Sequence, residues 1–453
     1  MRHNETGAGA LESALETLFD GFSTLPDCAS TTNWTAVNDV LQETAARLHN
    51  NLPYHHPLYI GQMLKPPHPV ARLAYAMAMS LNPNNHALDG GRESSAMERE
   101  AVAQIAGMFD FPLGAGHLCG GGTMANTEAL WVARETQGSD LVVASAQAHY
   151  THERLGGVLK QRFSSVPVDE HGRMDVDALA AQLATRRLGT VVATVVATLG
   201  TTATGAVDPL ERIVALRDAH DFHLHVDAAY GGYFTLAKNL DDPARRAFAA
   251  ISHADSVAVD PHKHGLQPYG CGCILFRDPN VTQVYGHDSP YSYFTSGGPH
   301  LGRISLECSR SGAAAVALWA TLKLLPLVRE GAFAGMLEQC REAALELHGW
   351  LGNHPRFVPA ARPDLDVVVW AMASKSATES SRQARALFDA AAQRDLHLAL
   401  VELPKQMLEP AGPVDDWDAG RITCLRACAM KPEHRDWLPQ IYSRLDDAVA
   451  SVT

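Results

Sequence analysis

The sequence predicts an α/β protein: a mostly parallel central sheet with helices on both faces, followed by a small C-terminal α+β domain. Three observations carry this expectation. Between residues 86 and 310, short and nearly continuous apolar runs recur: "DLVVASA", "TVVATVVAT", "FHLHVDAAY", "SVAVD" and "CGCILF". Such runs suit strands covered on both faces. Amphipathic stretches such as "VDALAAQLATR" and "LERIVALRDAH" lie between them, the alternation that builds a parallel sheet. Beyond residue 330 a long helical region gives way to separate strand-like runs, "DVVVWAMA" and "ITCLRACAM".

Taken in order, residues 1–85 read as helical and then irregular, with Pro/His-rich punctuation in "NLPYHHPLYIGQMLKPPHPVARL". Residues 86–330 form the large α/β domain and residues 331–453 the small one. "GGRESSAMEREAV" reads as a helix start capped by Ser94 or Ser95. "CGGGTMANTEALWVAR" is a Gly-rich turn running into a helix, a shape that can cup an anion. The helical run from Gly312 to Leu351 is expected to break at Pro326 and Gly331.

At 453 residues the chain is comfortable as two or three subdomains. Apolar residues make up 46% and charged residues 19%, ordinary for a compact enzyme. A formal net charge of −13 argues against nucleic acid as a partner, because a phosphate backbone calls for a basic stripe. No apolar run approaches the roughly 18 residues that suggest a membrane span, and the N-terminus lacks a signal-peptide pattern. Of the eight cysteines the closest pairs are Cys271/Cys273 and Cys424/Cys428, neither a CxxC. A reduced, cytoplasmic protein is expected.

The chemistry centres on "SVAVDPHKHGLQPYGCGCILF", where Lys263 stands in a tight turn between two apolar strands. A lysine there is either a snorkelling surface residue or a reactive amine. Four other segments fall at strand ends, where an open sheet collects ligands: "CGGGTMANT", "SAQAHYTHERLG", "ATLGTTATGAVDPL" and "HLHVDAAYGG". Each alone is a weak signal. Their joint order is specific.

"HVDAAYGG", "DPHK", "AHYTHERLG" and "ATLGTT" together resemble the group II pyridoxal-phosphate-dependent amino-acid decarboxylases, over about residues 57–430. The wording "DPHKHG…GCILF" with "SLECSRSGAAAVALWA" is similar to the archaeal tyrosine/aspartate branch, whereas the animal aromatic type has Asn where Asp260 stands. The resemblance implies the PLP-dependent transferase fold (fold type I, aspartate-aminotransferase-like), pyridoxal 5'-phosphate as cofactor, and a homodimer in which residues 1–85 help to pack the subunits. It implies that Lys263 forms a Schiff base with the cofactor, that Asp227 pairs with its ring nitrogen, and that His149 and Ala229 flank the ring. Gly122 and Thr123 would hold the phosphate, with His262 and Thr201 as further cofactor contacts. His264 departs from the bulky or apolar residue that often follows this lysine.

The same resemblance puts Arg426 where the substrate carboxylate is held, orienting its bond perpendicular to the ring. It places a proton-donating tyrosine in "YGHDSPYSYFTSGGPHLG": Tyr293, with Tyr291 as competitor. A tyrosine there implies decarboxylation of an L-amino acid to amine and CO2. Other reactions on the same scaffold are the alternative: carbon–carbon lysis, transamination or oxidative decarboxylation to an aldehyde. A cofactor-free binding protein is the rival from another class. Tyr59, Gln62, Asn84, Asn85 and His86 are expected to line the substrate pocket and suggest a polar or aromatic side chain, while Lys65 and Arg92 leave an acidic one open. The histidines of "HDFHLHVD" are dense enough to suggest a metal, yet only His223 and His225 share a strand face and no further ligands are evident, so no metal is expected.

Overall fold

The computed structural model describes residues 5–26, 28, 31–185, 192–286, 298 and 300–452. Among them, strands β1 (Ala115–Cys119), β2 (Ser139–Ser145), β3 (Arg162–Val166), β4 (Val192–Thr198), β5 (Phe222–Asp227), β6 (Ser256–Val259) and β7 (Gly272–Phe276) form one sheet. Its order is β1-β7-β6-β5-β4-β2-β3. β7 runs antiparallel to both of its neighbours, and the other pairs are parallel. All six residues of β5 are buried, which is why its sequence shows no polar alternation.

Helices α1 (Glu5–Asp20), α2 (Trp34–Leu48), α3 (Pro69–Met79) and α4 (Leu88–Met108) precede the sheet, and α5 (Gly122–Gln137) and α6 (Thr151–Leu159) follow β1 and β2. One face of the sheet packs Leu224, Val226 and Val257 into a core shared with Val102 and Ile105 of α4. On the other face Ala125, Ala129 and Val132 of α5 meet Ala258 and Ile274. The expected serine cap is overturned. α4 begins at Leu88 behind Ala87, which makes no side-chain cap, and Gly91 interrupts it. Ser94 turns inward instead, its hydroxyl donating to Asn85 Oδ1 at 2.5 Å.

The helices Gly312–Leu324 and Ala332–Asn353 leave a gap around Pro326 and Gly331. The small domain then follows with β8 (Phe357–Pro359), β9 (Val367–Met372), β10 (Ser374–Ser376), β11 (Ala399–Pro404), β12 (Val414–Asp416) and β13 (Arg421–Cys428). Four of these strands form an antiparallel sheet in the order β11-β13-β9-β8, and β10 pairs with β12. Residues 58–61 join this domain: Ile60 N–H donates to His397 O at 3.0 Å, and Cys428 N–H donates to Ile60 O at 2.6 Å. Gly61 is required there, because a Cβ would stand 2.3 Å from the Leu398 carbonyl.

Trp370, Leu425, Leu347, Leu387 and Ile441 fill the small-domain core with no exposed surface beyond 1%. Leu425→Ala is expected to cost about 2–5 kcal/mol through lost burial and the cavity left behind. The check is an earlier thermal or denaturant midpoint for the variant; an unshifted midpoint contradicts the packing.

Candidate active site

The carboxyl ends of β1, β2, β4, β5 and β6 open onto one cavity of about 440 Å³. Strand direction explains the convergence, since parallel strands present their following loops on one edge of the sheet. Lys263, Asp227, His149, Gly122, Thr123, Ala229 and His262 all line it. The antiparallel β7 starts at the same edge, and Gly272 abuts the Gly121 backbone so closely that a Cβ would lie 2.5 Å away.

Two carboxylates govern the charge here. Lys263 Nζ lies 3.0 Å from Asp260 Oδ2, and the lysine side chain is about a quarter exposed. Burial pulls the ammonium pKa down, but the charges of Asp260 and Asp227 outweigh it and leave it raised. Asp227 Oδ2 accepts from His152 Nε2 at 2.9 Å and from Asn126 Nδ2 at 3.3 Å, and Oδ1 accepts from Ala229 N–H at 3.1 Å. Burial would raise the Asp227 pKa; the His152 hydrogen bond and the charges of His152 and Lys263 reverse that and hold it well below the usual carboxylate range. His149 is pushed down by burial, with the Lys263 and His152 charges adding to it. It is therefore neutral at pH 7.

The histidines of "HDFHLHVD" form a polar chain beneath this acid. His225 Nε2 lies 2.7 Å from Asn126 Oδ1, His225 Nδ1 lies 2.9 Å from Ser256 Oγ, and His223 Nε2 lies 3.1 Å from the same hydroxyl. Because Asn126 donates its amide to Asp227, its carbonyl must accept from His225, which fixes the His225 proton on Nε2. The strand register puts both imidazoles on one face, and they serve hydrogen bonding. No cluster able to hold a metal occurs among the described residues.

The anion cup is the N-terminus of α5. Its N-cap, Gly121, sits at φ 146° and offers no side-chain acceptor, so the first backbone N–H groups of the helix are uncapped. A Cβ at Gly122 would meet Asp260 Oδ2 at 2.7 Å. Glu307 stands at the rim, its Oε2 accepting from Gly120 N–H at 2.9 Å. His262 is tied back by Nδ1 to Cys271 O at 2.9 Å, with Nε2 3.6 Å from Asp260 Oδ2.

Other expected residues fall elsewhere. Thr201 is fully buried outside the cavity lining: its hydroxyl accepts from Ala206 N–H and contacts Thr204 Oγ1, both at 3.1 Å. Thr198 and Thr202 face the cavity in its place. Asn85 is also consumed internally, donating to Ser94 O and Glu98 Oε2 while accepting from Ser94. His86 packs on Gly302, its backbone N–H held by Asn84 Oδ1. Tyr59 is buried under Lys431, whose Nζ donates to the Tyr59 carbonyl at 2.6 Å; burial pushes the Tyr59 phenol up to about 12. Tyr291 and Tyr293 lie outside the described residues.

Arg426, on β13, is 5% exposed; its Nη2 donates to Cys428 Sγ at 3.2 Å, and Nε has no partner among the described residues. Sequence reasoning had no account of His264, and the structure supplies one. Its Nε2 lies 3.2 Å from Asp366 Oδ2, with Tyr230 OH donating to Asp366 Oδ1 at 2.7 Å. The bulky residue usual at this position is replaced by an imidazole with a buried acid to answer it.

A half-buried lysine paired with Asp260, an uncapped Gly-rich helix start, Asp227 and His149 share this one cavity, a set of groups able to take an aldehyde-bearing phosphate cofactor. The family model described as the pyridoxal-dependent decarboxylase conserved domain matches residues 70–372, and the chain belongs to that family. It is a pyridoxal-phosphate-dependent carboxy-lyase that decarboxylates an L-amino acid. An L-tyrosine decarboxylase of Enterococcus faecium is 29% identical over 82% of this chain and 77% of its own length. A probable L-tyrosine/L-aspartate decarboxylase of Methanothermobacter thermautotrophicus is 28% identical over 71% of this chain and 90% of its own. Among solved structures, Oryza sativa TDC with PLP and tryptamine overlays with a TM-score of 0.78 at 16% identity, covering 100% of this chain and 99% of that one. Mouse CSAD in apo form overlays at 0.76 with 20% identity, covering 95% and 91%. Both likenesses concern the fold.

The histidine chain has a measurable consequence. Burial lowers His223 to about 4 and His225 to about 3 from an ordinary 6.5. Below about pH 6.5 the unfolded chain therefore binds protons that the folded chain refuses, and stability falls as pH drops toward 4. His225→Gln is expected to flatten the thermal midpoint against pH across that window. An unchanged slope would remove this imidazole from the explanation.

Proposed function

We propose that the catalytic work is divided between a charged floor on the large domain and an orienting arginine on the small one. The supporting observation is the juxtaposition of Lys263, Asp260 and Asp227 beside the uncapped start of α5. These residues fit pyridoxal phosphate: an amine for its aldehyde, a held carboxylate for its ring nitrogen, and backbone N–H groups at the positive end of a helix for its phosphate. When bound, the cofactor supplies a sink for the electron pair released as the substrate α-carboxylate leaves.

Lys263 anchors the cofactor and yields its place to the substrate amine. Asp227 holds a proton at the ring nitrogen, while His149 and Ala229 flank the ring. Gly122 and Thr123 hold the phosphate, and His262 stays near it through its tie to Cys271 O. Arg426 orients the substrate carboxylate. Its buried guanidinium makes no ion pair within 4.0 Å among the described residues, so an anionic ligand answers an otherwise costly charge. Tyr293 returns a proton to the α-carbon, with Tyr291 as its competitor. Thr201 is withdrawn from the cofactor contacts and Asn85 from the substrate contacts, because their polar atoms are already used.

The substrate proposed is an L-amino acid with an aromatic or polar side chain, on the strength of the relatives' activities. A homodimer is proposed from α2. This helix buries no residue, yet Trp34, Val37, Leu41 and Leu48 lie along one helical stripe with exposures from 37% to 71%. A cytoplasmic setting is proposed from the scattered cysteines, none in a CxxC. No helix among the described residues is long and apolar enough to cross a membrane.

The test is mass spectrometry of products from the cofactor-loaded enzyme against the common amino acids, with and without oxygen. An amine in both atmospheres, lost in Lys263→Ala together with the visible absorption of the bound cofactor, is the expected result; an aldehyde or keto acid as the main product overturns it. Arg426→Ala is expected to raise KM at least about 10-fold, the scale of a lost charged hydrogen bond, while cofactor affinity stays unchanged. Steady-state kinetics with a parallel cofactor titration decides this, and an unchanged KM removes Arg426 from the substrate site.

A further inference from the structure

We propose that His152 is a positioning residue for the decarboxylation, holding the Asp227 carboxylate ionised and in one orientation. The inference rests on the reading of Asp227 as the partner of the cofactor ring nitrogen and extends it to a residue with no role so far. His152 stands in the first turn of α6, three residues beyond His149, and is completely buried. Its Nε2 is 2.9 Å from Asp227 Oδ2, the shortest of the three contacts that grip this carboxylate. Its Nδ1 has no partner among the described residues.

The protonation pattern follows from these partners. Asp227 is held as a carboxylate and can only accept, so His152 Nε2 must carry a proton and donate. With Nδ1 unpartnered among the described residues, the hold of His152 on Asp227 runs through Nε2 alone. Asn126 approaches the same oxygen at 3.3 Å, with its amide orientation set by His225. Ala229 N–H takes the other oxygen from within the same turn. Donors from α5, α6 and the strand end thus meet on one acid. Without His152, Oδ2 keeps only the longer Asn126 bond, and burial would push the acid toward its neutral form. A neutral Asp227 cannot hold a proton at the ring nitrogen, so the loss falls on turnover and cofactor affinity rather than on substrate binding.

The experiment compares His152→Phe, His152→Gln and His152→Asn in the full-length, cofactor-loaded enzyme. Readouts are pyridoxal phosphate affinity by absorbance titration, the ratio of visible to near-ultraviolet absorption of the bound cofactor, kcat and KM, and the thermal midpoint of the cofactor-free protein. His152→Phe is expected to weaken cofactor binding about 10- to 100-fold, the scale of a hydrogen bond to a charged group, to shift the absorption ratio, and to lower kcat with little change in KM. The glutamine amide reaches where Nε2 does and is expected to recover most of the loss; the asparagine amide falls short and is not. Phe and wild-type enzymes that match in affinity, spectrum and kcat overturn the proposal. So does a thermal midpoint that falls while those three stay constant, or equal behaviour of the Gln and Asn variants, which also decides the matter should the Phe variant not fold. Asp227→Ala separates the two levels: if it leaves affinity and spectrum intact, the reading of Asp227 itself fails, whereas a collapsed Asp227→Ala beside a silent His152→Phe sinks only the role of His152.

Discussion

One buried negative charge organises this molecule. Asp227 ends the central strand β5 at 5% exposure, where desolvation opposes ionisation. It stays charged because donors arrive from two helices and from its own turn. That requirement fixes the register of α5 against the sheet, since Asn126 must face Asp227 on one side and His225 on the other. Asn126 lies four residues after Gly122, so about 6 Å of helix separates the anion cup from the acid.

The second carboxylate, Asp260, acts on the amine. It follows β6, the strand beside β5, and reaches Lys263 across a single turn. With Asp227 it keeps the ammonium form favoured despite burial. An amine must lose a proton before it can attack a carbonyl carbon, and here that proton lies on a 3.0 Å hydrogen bond to Asp260 Oδ2. The pair that stabilises the charged lysine also gives its proton an acceptor. An Asn at this position could accept a hydrogen bond but could not take the proton.

The sequence makes visible what depends on neighbours along the chain and hides what depends on distant ones. Strands β2, β4, β5, β6 and β7 were legible because burial on both faces writes an uninterrupted apolar run. Lys263, Asp227, His149 and Gly122 were legible because each sits in a motif at a strand end. Thr201 was misplaced because a tight turn can send adjacent hydroxyls to opposite sides, and here Thr202 takes the cavity while Thr201 closes its own loop. Ser94 looked like a cap because it precedes a helical pattern, yet its partner is Asn85, drawn in by the Gly91 interruption. His152 stands beside His149 in the sequence motif but received no role there, because its partner lies 75 residues away. A histidine's spacing says nothing of which acid the fold will bring to it.

His264 shows why such a distant pairing matters. Burial would neutralise Asp366, but His264, with Nε2 3.2 Å from Oδ2, and the hydrogen bond from Tyr230 hold its pKa below the usual range. Asp366 directly precedes β9, and β9 pairs with β13 so that Val369 stands opposite Arg426. The turn bearing Lys263 is thus joined to the strand bearing Arg426 through one buried contact and one ladder of backbone hydrogen bonds. Selecting which bond at a substrate α-carbon breaks requires its amine and its carboxylate to be held at a fixed relative angle. Lys263 and Arg426 belong to different domains, so their relative placement is only as constant as the link between those domains, and His264–Asp366 makes one such link inside the protein, out of reach of solvent.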